Sequence, residues 1–209
     1  MELSKFIVFE NFNHHTNGEL SIDCKDDINS IYFEERKYFS NSKIYMSKDE
    51  FGNINGSIRT LEWNYIDTLP IQKMFDINPL NFMNDSNSKV WHIGRFAIRK
   101  DIKDRNLFKR LMVCAIHPIC QNKGSIVFAE CDSKLLRVLN LLGITTEVIG
   151  ESIDYLGSET IPVAMTTDGL LPFYSTNYNL VPFHLLENHF QLFRPNINYI
   201  SQQRNYKIG

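Results

Sequence analysis

The stretch VWHIGRFAIRKDIKDRNLFKRL, Val90 to Leu111, decides the reading of this chain. Its first nine residues are β-prone and mostly apolar, and a dense run of charge follows. From Leu107 the apolar residues return at helical spacing, at Leu107, Leu111, Cys114 and Ala115. A strand, a charged turn and an amphipathic helix in that order are the first two parts of a βαβ unit. The third part is GSIVFAEC, Gly124 to Cys131, whose short apolar run suits a buried strand. A right-handed crossover makes the two strands parallel neighbours.

Downstream, DSKLLRVLNLLG is a second helix, capped by Asp132 or Ser133, with Leu135, Leu139 and Leu142 at helical spacing and Gly143 as its stop. ITTEVIG and ETIPVAMTT read as two further strands, and Pro162 suggests an edge or a bulge for the second. Beyond Leu170 the chain is aromatic and Asn-rich, and LVPFHLLENHFQLF fits a docking helix. Upstream, KIYMSKDEFGNINGSIRTLEW is a hairpin whose turn is supplied by Gly52 and Asn53. A short helix is expected over Ile71 to Phe75, with a loop after it. INSIYFEERKYF suits an amphipathic helix capped at Asn29 or Ser30. The sum is an α/β (α+β) chain with a mixed, twisted sheet and helices on both faces, read as a single domain over 1–209 with 170–209 as a C-terminal extension.

The composition excludes several classes of function. A net charge of −2 leaves no general basic footprint, so nucleic acid is not an expected partner. No run approaches the ~18 apolar residues of a membrane-spanning helix. The N-terminal MELSKFIVFENFNHH lacks the cationic, long apolar and small-residue regions of a secretion signal, so a cytoplasmic location is expected. Cys24, Cys114, Cys120 and Cys131 are too irregularly spaced for a disulfide framework or a zinc knuckle, and they read as free thiols. His117 and Cys120 fit helix-end packing better than a metal site, and no metal is expected.

The order of elements, with Trp91, Arg95, Phe96 and Ala97, then Leu107, Phe108, Leu111 and Ala115, then Val127, Leu142 and Gly143, then Gly157 and Pro162, resembles the GNAT acyltransferases. Within them it is most like the acyl-homoserine-lactone synthases. The likeness runs from Val90 to about Met165, and Arg59 in GSIR matches an arginine that those enzymes carry on the preceding strand. Two departures matter. The acid that the synthases place after the tryptophan is His92 here, and their W..D..D segment has no counterpart between RKYF and KIYM. The departures count against homoserine lactone as product and S-adenosylmethionine as acceptor.

The resemblance implies an N-acyltransferase that uses acyl-CoA or an acyl carrier protein as donor and the amine of a small acceptor. Unpaired amides of a splayed strand at Phe96, Ala97 and Ile98 would receive the pantetheine arm as an added strand. The helix start at Arg105, Asn106, Leu107 and Phe108, with Arg99 nearby, would receive phosphate. His92 and Glu130 compete as the general base. Strict alternation puts His92 and Arg95 on opposite faces of the strand, and Gly94 is where a bulge would bring them together. Arg59 and Arg95 would hold a substrate carboxylate or pin the sheet, with Trp91 beside the substrate. Phe82, Trp91, Phe96, Phe108 and Phe128 are available to line an acyl tunnel. Cys131 has no histidine neighbour in sequence and is not expected to be a nucleophile. The rival readings are a non-catalytic module that binds an acyl carrier or a protein, and a short-chain acetyltransferase.

Overall fold

The computed structural model describes residues 1–15, 23–83, 88–104 and 106–190, the last four by their backbone alone. The βαβ unit is present: β3 (Val90–Ile98), α4 (Leu107–Cys120) and β4 (Ile126–Cys131), with β3 and β4 parallel and Val90 opposite Ile126. The hairpin is β1 (Ser42–Lys48) and β2 (Ile54–Glu62), and β2 runs antiparallel to β3. Gly52 turns the hairpin at φ +87°, a conformation that carries a steric cost for any residue with a Cβ.

On the other side of β4 lies β7 (Ser158–Thr166), antiparallel to it, followed outward by β5 (Glu147–Val148). A third short strand, β6 (Ile153–Tyr155), makes a hairpin with the start of β7 and carries too little period-2 pattern to be legible in sequence. Among the described residues the order is thus β1-β2-β3-β4-β7-β5, with β6 also on β7 as the seventh strand of a mixed sheet. Pro162 sits inside this sheet rather than at its edge. Its carbonyl accepts from Ile149, so its missing N–H faces the gap between β5 and β6, where no ladder bond is lost.

Helices cover both faces. On one, α4, α5 (Ser133–Leu141) and α6 (Thr167–Thr176) pack on Ile58, Trp91, Ile93, Val127, Val163 and Met165. Asp132 caps α5 by accepting from the Leu135 N–H. Helix α6, unanticipated in the sequence, places Leu170, Phe173 and Tyr174 in that core, and His117 Nδ1 lies 2.6 Å from the Tyr174 hydroxyl. The last helix among the described residues is α7 (Phe183–Phe190), within the segment expected to form a docking helix, whose final three residues lie outside the described ones.

On the other face, α3 (Pro70–Phe75) packs with Tyr38, Leu61, Trp63, Val90 and Phe128. Beside it are α1 (Glu2–His15) and α2 (Cys24–Lys37), which share a small core of Ile7, Val8, Phe12, Cys24, Ile28 and Ile31. Helix α1 was not foreseen, because its apolar residues do not fall on one clear stripe. Helix α2 starts a turn before Asn29, with Asp23 at the N-cap and Asp26 and Asp27 in a first turn that favours acids. Among the described residues no helix is long and apolar enough to cross a membrane.

Candidate active site

Strands β3 and β4 pair only as far as Ile93 and Ala129, although both continue. Beyond that point they splay, and the β3 peptide groups on the β4 side lose their strand partner. A cavity of about 510 Å³ opens there, reaching both sheet faces through the gap. Its wall on the α4 side is apolar, with Ile93, Phe96, Phe108, Met112, Leu139 and Met165. Its wall on the α2 side is charged, with Glu34, Arg59, His92, Arg95, Glu130 and Tyr155.

Alternation and one irregularity produce this division. His92 and Glu130 follow Val90 and Phe128 on the α3 face, because side chains two apart share a face. Arg59 faces Gly94 across the ladder and Ser57 faces Ala97, so Ile58 alone opposes Arg95 and Phe96. That is a β-bulge, and Arg95 takes it at φ +55°. A side chain in the left-handed region costs about 1–2 kcal/mol. The bulge turns Arg95 to the face of His92, and it turns Phe96 to the α4 face, where its ring meets Phe108 edge-on at 5.1 Å.

The charged wall is a continuous network. Glu35 Oε1 accepts from Arg59 Nη1 at 2.5 Å and from Arg95 Nε at 2.7 Å, and Arg95 Nη2 also donates to Glu34. Arg59 Nη2 lies 3.2 Å from His92 Nδ1, and His92 Nε2 lies 2.9 and 3.0 Å from the two oxygens of Glu130. A guanidinium has donors only, so His92 Nδ1 must be the acceptor. The imidazole is therefore the neutral Nε2–H tautomer, and it donates to Glu130. Arg59 and His92 are each 1% exposed, whereas the Glu130 side chain is 11% exposed and open to the cavity. Burial pulls the Arg95 guanidinium down, but the adjacent Glu34 and Glu35 carboxylates outweigh it and hold the group above its ordinary range. Burial raises the Tyr155 phenol, and the charge of Arg95 partly offsets that rise.

The structure brings together Arg59, His92, Arg95 and Glu130 of the expected site residues, and with them Phe96, Ala97, Ile98 and Phe108 on the cavity wall. It places others elsewhere. Trp91 points to the α4 face and lines a separate cavity of about 590 Å³ with Trp63 and His117, its indole N–H unpartnered. Leu107 is core. Arg99 pairs with Asp101 at 2.6 Å and Asp49 at 3.5 Å. Asn106 is exposed, and its N–H is already held by the Asp104 carboxylate at 2.9 Å, which also pairs with Arg110. Arg105 lies outside the described residues. Of the five aromatic residues available for a tunnel, Phe96 and Phe108 line the cavity, while Phe82 and Phe128 meet edge-to-face in the core at 5.6 Å.

Three participants went unrecognised in the sequence: Glu34, Glu35 and Tyr155. The paired acids of α2 looked like an exposed helix face, and their spacing carried no sign of arginine partners 24 and 60 residues away. The far end of α1 also meets the opening. His14 Nε2 lies 2.8 Å from the Ile98 carbonyl, and His15 Nε2 lies 3.2 Å from the Asp132 carboxylate.

Neither a family model nor a curated protein matches the sequence. Solved structures do. FeeM, an N-acyl amino acid synthase from uncultured soil microbes, matches at 12% identity with a TM-score of 0.53, over 80% of this chain and 90% of that chain. The AHL synthase LasI matches at 14% identity with a TM-score of 0.50, over 83% of this chain and 86% of that chain. An acetyltransferase of the GNAT family from Staphylococcus aureus Mu50 matches at 14% identity with a TM-score of 0.48, over 79% of this chain and 91% of that chain. The chain shares its fold with FeeM and LasI. Within it, the V-shaped opening between β3 and β4 is where the expected splayed strand lies, and the bulge at Arg95 stands at its apex.

Proposed function

We propose that the chain is an N-acyltransferase that moves an acyl group from acyl-CoA or an acyl carrier protein to the amine of a small acceptor. One observation carries the reading: the open cavity beside the splayed strands joins a buried, hydrogen-bonded His92–Glu130 pair to an apolar wall. An acyl thioester needs such a pairing of surfaces, with an edge for its amide-rich arm and an apolar wall for its chain. The fold shared with FeeM and LasI agrees with it.

In this reading Glu130 is the base. Its carboxylate faces the cavity, whereas both nitrogens of His92 are engaged, so His92 positions Glu130 and hands on the polarity of Arg59. The amine nitrogen attacks the thioester carbonyl carbon and forms the C–N bond, with oxyanion charge met by free β3 amides. Collapse breaks the C–S bond. Glu130 takes the proton from nitrogen and returns it to the departing thiolate, so the products are an amide and a free thiol.

The direct test incubates the purified chain with acyl-CoA or acyl carrier protein donors of several lengths and a library of amines. Amides are sought by mass spectrometry and thiol release is followed in parallel. Amide formation that depends on Glu130 is the expected result, and silence across all donors and acceptors rejects the proposal. A second reading, a non-catalytic module that binds an acyl carrier or a protein, is favoured by the Asp104 carboxylate. That group occupies the helix-start amide at which a donor phosphate would sit.

A further inference from the structure

The splayed part of β3 is not bare along its whole length. Ala97 pairs with Ser57, and the Arg99 N–H donates to the Asn55 carbonyl at 2.9 Å, both on the β2 side. Peptide groups alternate along a strand, so Ile98 between them turns its N–H and carbonyl to the β4 side, where the opening lies. Helix α1 already meets this edge. His14 Nε2 lies 2.8 Å from the Ile98 carbonyl, and because a carbonyl only accepts, the histidine donates. One turn earlier in the helix, the Glu10 carboxylate accepts from the Lys100 N–H at 3.0 Å. One donated and one accepted bond are what a residue of an added strand would give these two groups.

The next residue of the helix holds the opposite lip. Strand β4 ends at Cys131, and His15 Nε2 lies 3.2 Å from the carboxylate of Asp132, which follows it. Consecutive residues of α1 thus touch both sides of the opening, and Ile7, Glu10, Asn11 and His14, on one face of the helix, line the cavity. The hold is uneven along this end of the helix. Glu10 is buried and also accepts from Asn13 Nδ2 at 3.2 Å. His14 is exposed, as is the bond from Lys100 Nζ to the Asn13 carbonyl at 2.9 Å, and His15 is half-buried. Water replaces exposed hydrogen bonds at little cost, and the end of a helix opens most readily.

We propose that the last turn of α1 is a strap over the donor's edge of the sheet: His14 and His15 hold it shut, and the arm of the thioester displaces them to pair with Ile98. The proposal rests on the acyltransfer reading and adds an autoinhibitory contact to that site. A closed strap weakens the apparent affinity for the donor in proportion to the fraction of molecules that are open. Glu10 stays in place and, by keeping the Lys100 N–H, marks the end of the run that the arm can use.

The test uses the full chain, the donor that gives amide in the acylation assay, and the thioether analogue of that donor. His14→Ala and His15→Ala each remove one hold and are expected to lower the donor KM about 2–10-fold, with no fall in kcat. In the unaltered chain, the amides of the last turn of α1 are expected to lose protection from hydrogen exchange when the analogue binds. A donor KM that is unchanged or raised in either variant overturns the strap and leaves the acyltransfer reading intact. Exchange in that turn that is unchanged or slowed by the analogue does the same. Amide formation from no donor at all overturns the acyltransfer reading, and the strap with it.

Discussion

His92 and Glu130 belong to adjacent parallel strands, and Glu130 stands one step past the last residue of β4 that pairs with β3, where the two strands part. His92 is opposite Phe128 in the ladder, so its ring must reach up-strand to meet Glu130 two positions on. The contact therefore spans the floor of the opening. It places a buried donor behind a carboxylate that faces the cavity.

That order of groups fixes which substitution hurts more. Glu130→Gln removes the proposed proton acceptor and is expected to lower kcat by about 10²–10⁴-fold. His92→Gln keeps a donor near Glu130 and is expected to lower kcat less, with the donor KM unchanged. Steady-state kinetics of the two variants check it. A His92 variant worse than Glu130→Gln reverses the assignment.

Glu35 is the shared anchor of two buried cations, accepting from both Arg59 and Arg95 through one oxygen. Replacing it with Ala strands Arg59 and leaves Arg95 with Glu34 as its carboxylate partner, and breaking a buried ion pair from one side costs about 3–5 kcal/mol. Urea denaturation of Glu35→Ala is expected to show that loss. A cost below about 1 kcal/mol would mean that the network is looser and wetter than its geometry indicates.

Gly94 supports the His92 ring. A Cβ there would stand 2.8 Å from His92 Cε1, and the ring cannot swing away without giving up Arg59 or Glu130. Gly94→Ala is expected to cost about 1–3 kcal/mol from overpacking. Displacing the ring should lower kcat by about 100-fold, as an ångström-scale shift of a positioning group does. Thermal unfolding and kinetics on the same preparation separate the two effects.

Cys131 lines the cavity close to Glu130 and is not expected to serve as a nucleophile. Burial, with the Asp132 and Glu130 charges adding to it, pushes its thiol up to about 12. A raised thiol value means that the reactive thiolate forms only as the pH climbs toward that figure. Alkylation of Cys131 in the folded chain should be negligible at neutral pH and rise about tenfold per unit of pH up to there. Mass spectrometry after iodoacetamide treatment measures it, and Cys131→Ala should retain most of the acylation activity. Fast labelling at pH 7 together with an inactive Cys131→Ala would favour a covalent route.

How much of this was legible varies by element. The hairpin, β3, α4, β4 and α5 were readable because each carries its own period and its own stop signal, such as the Asp132 cap. Helices α1 and α6 and strand β6 were not. The first two have apolar residues spread around the helix, and the third is three residues long and exists only by pairing with β7. The placement of the candidate site split in the same manner. Phe96, Ala97, Ile98 and Phe108 follow from strand and helix position, whereas Trp91 went to the other face because period-2 alternation carries it opposite His92.

The sequence by itself determined the βαβ unit, the faces of its strands and the residue types gathered near its open end. Those are properties of nearest neighbours along the chain, where spacing and backbone preference suffice. Only the tertiary structure decided what the two arginines hold, which nitrogen of His92 carries the proton and how Glu130 comes to face the cavity. Each of those depends on groups from α2, β2, β3 and β4 meeting in one low-dielectric place, and a charge pair of that kind leaves no periodic trace in the chain.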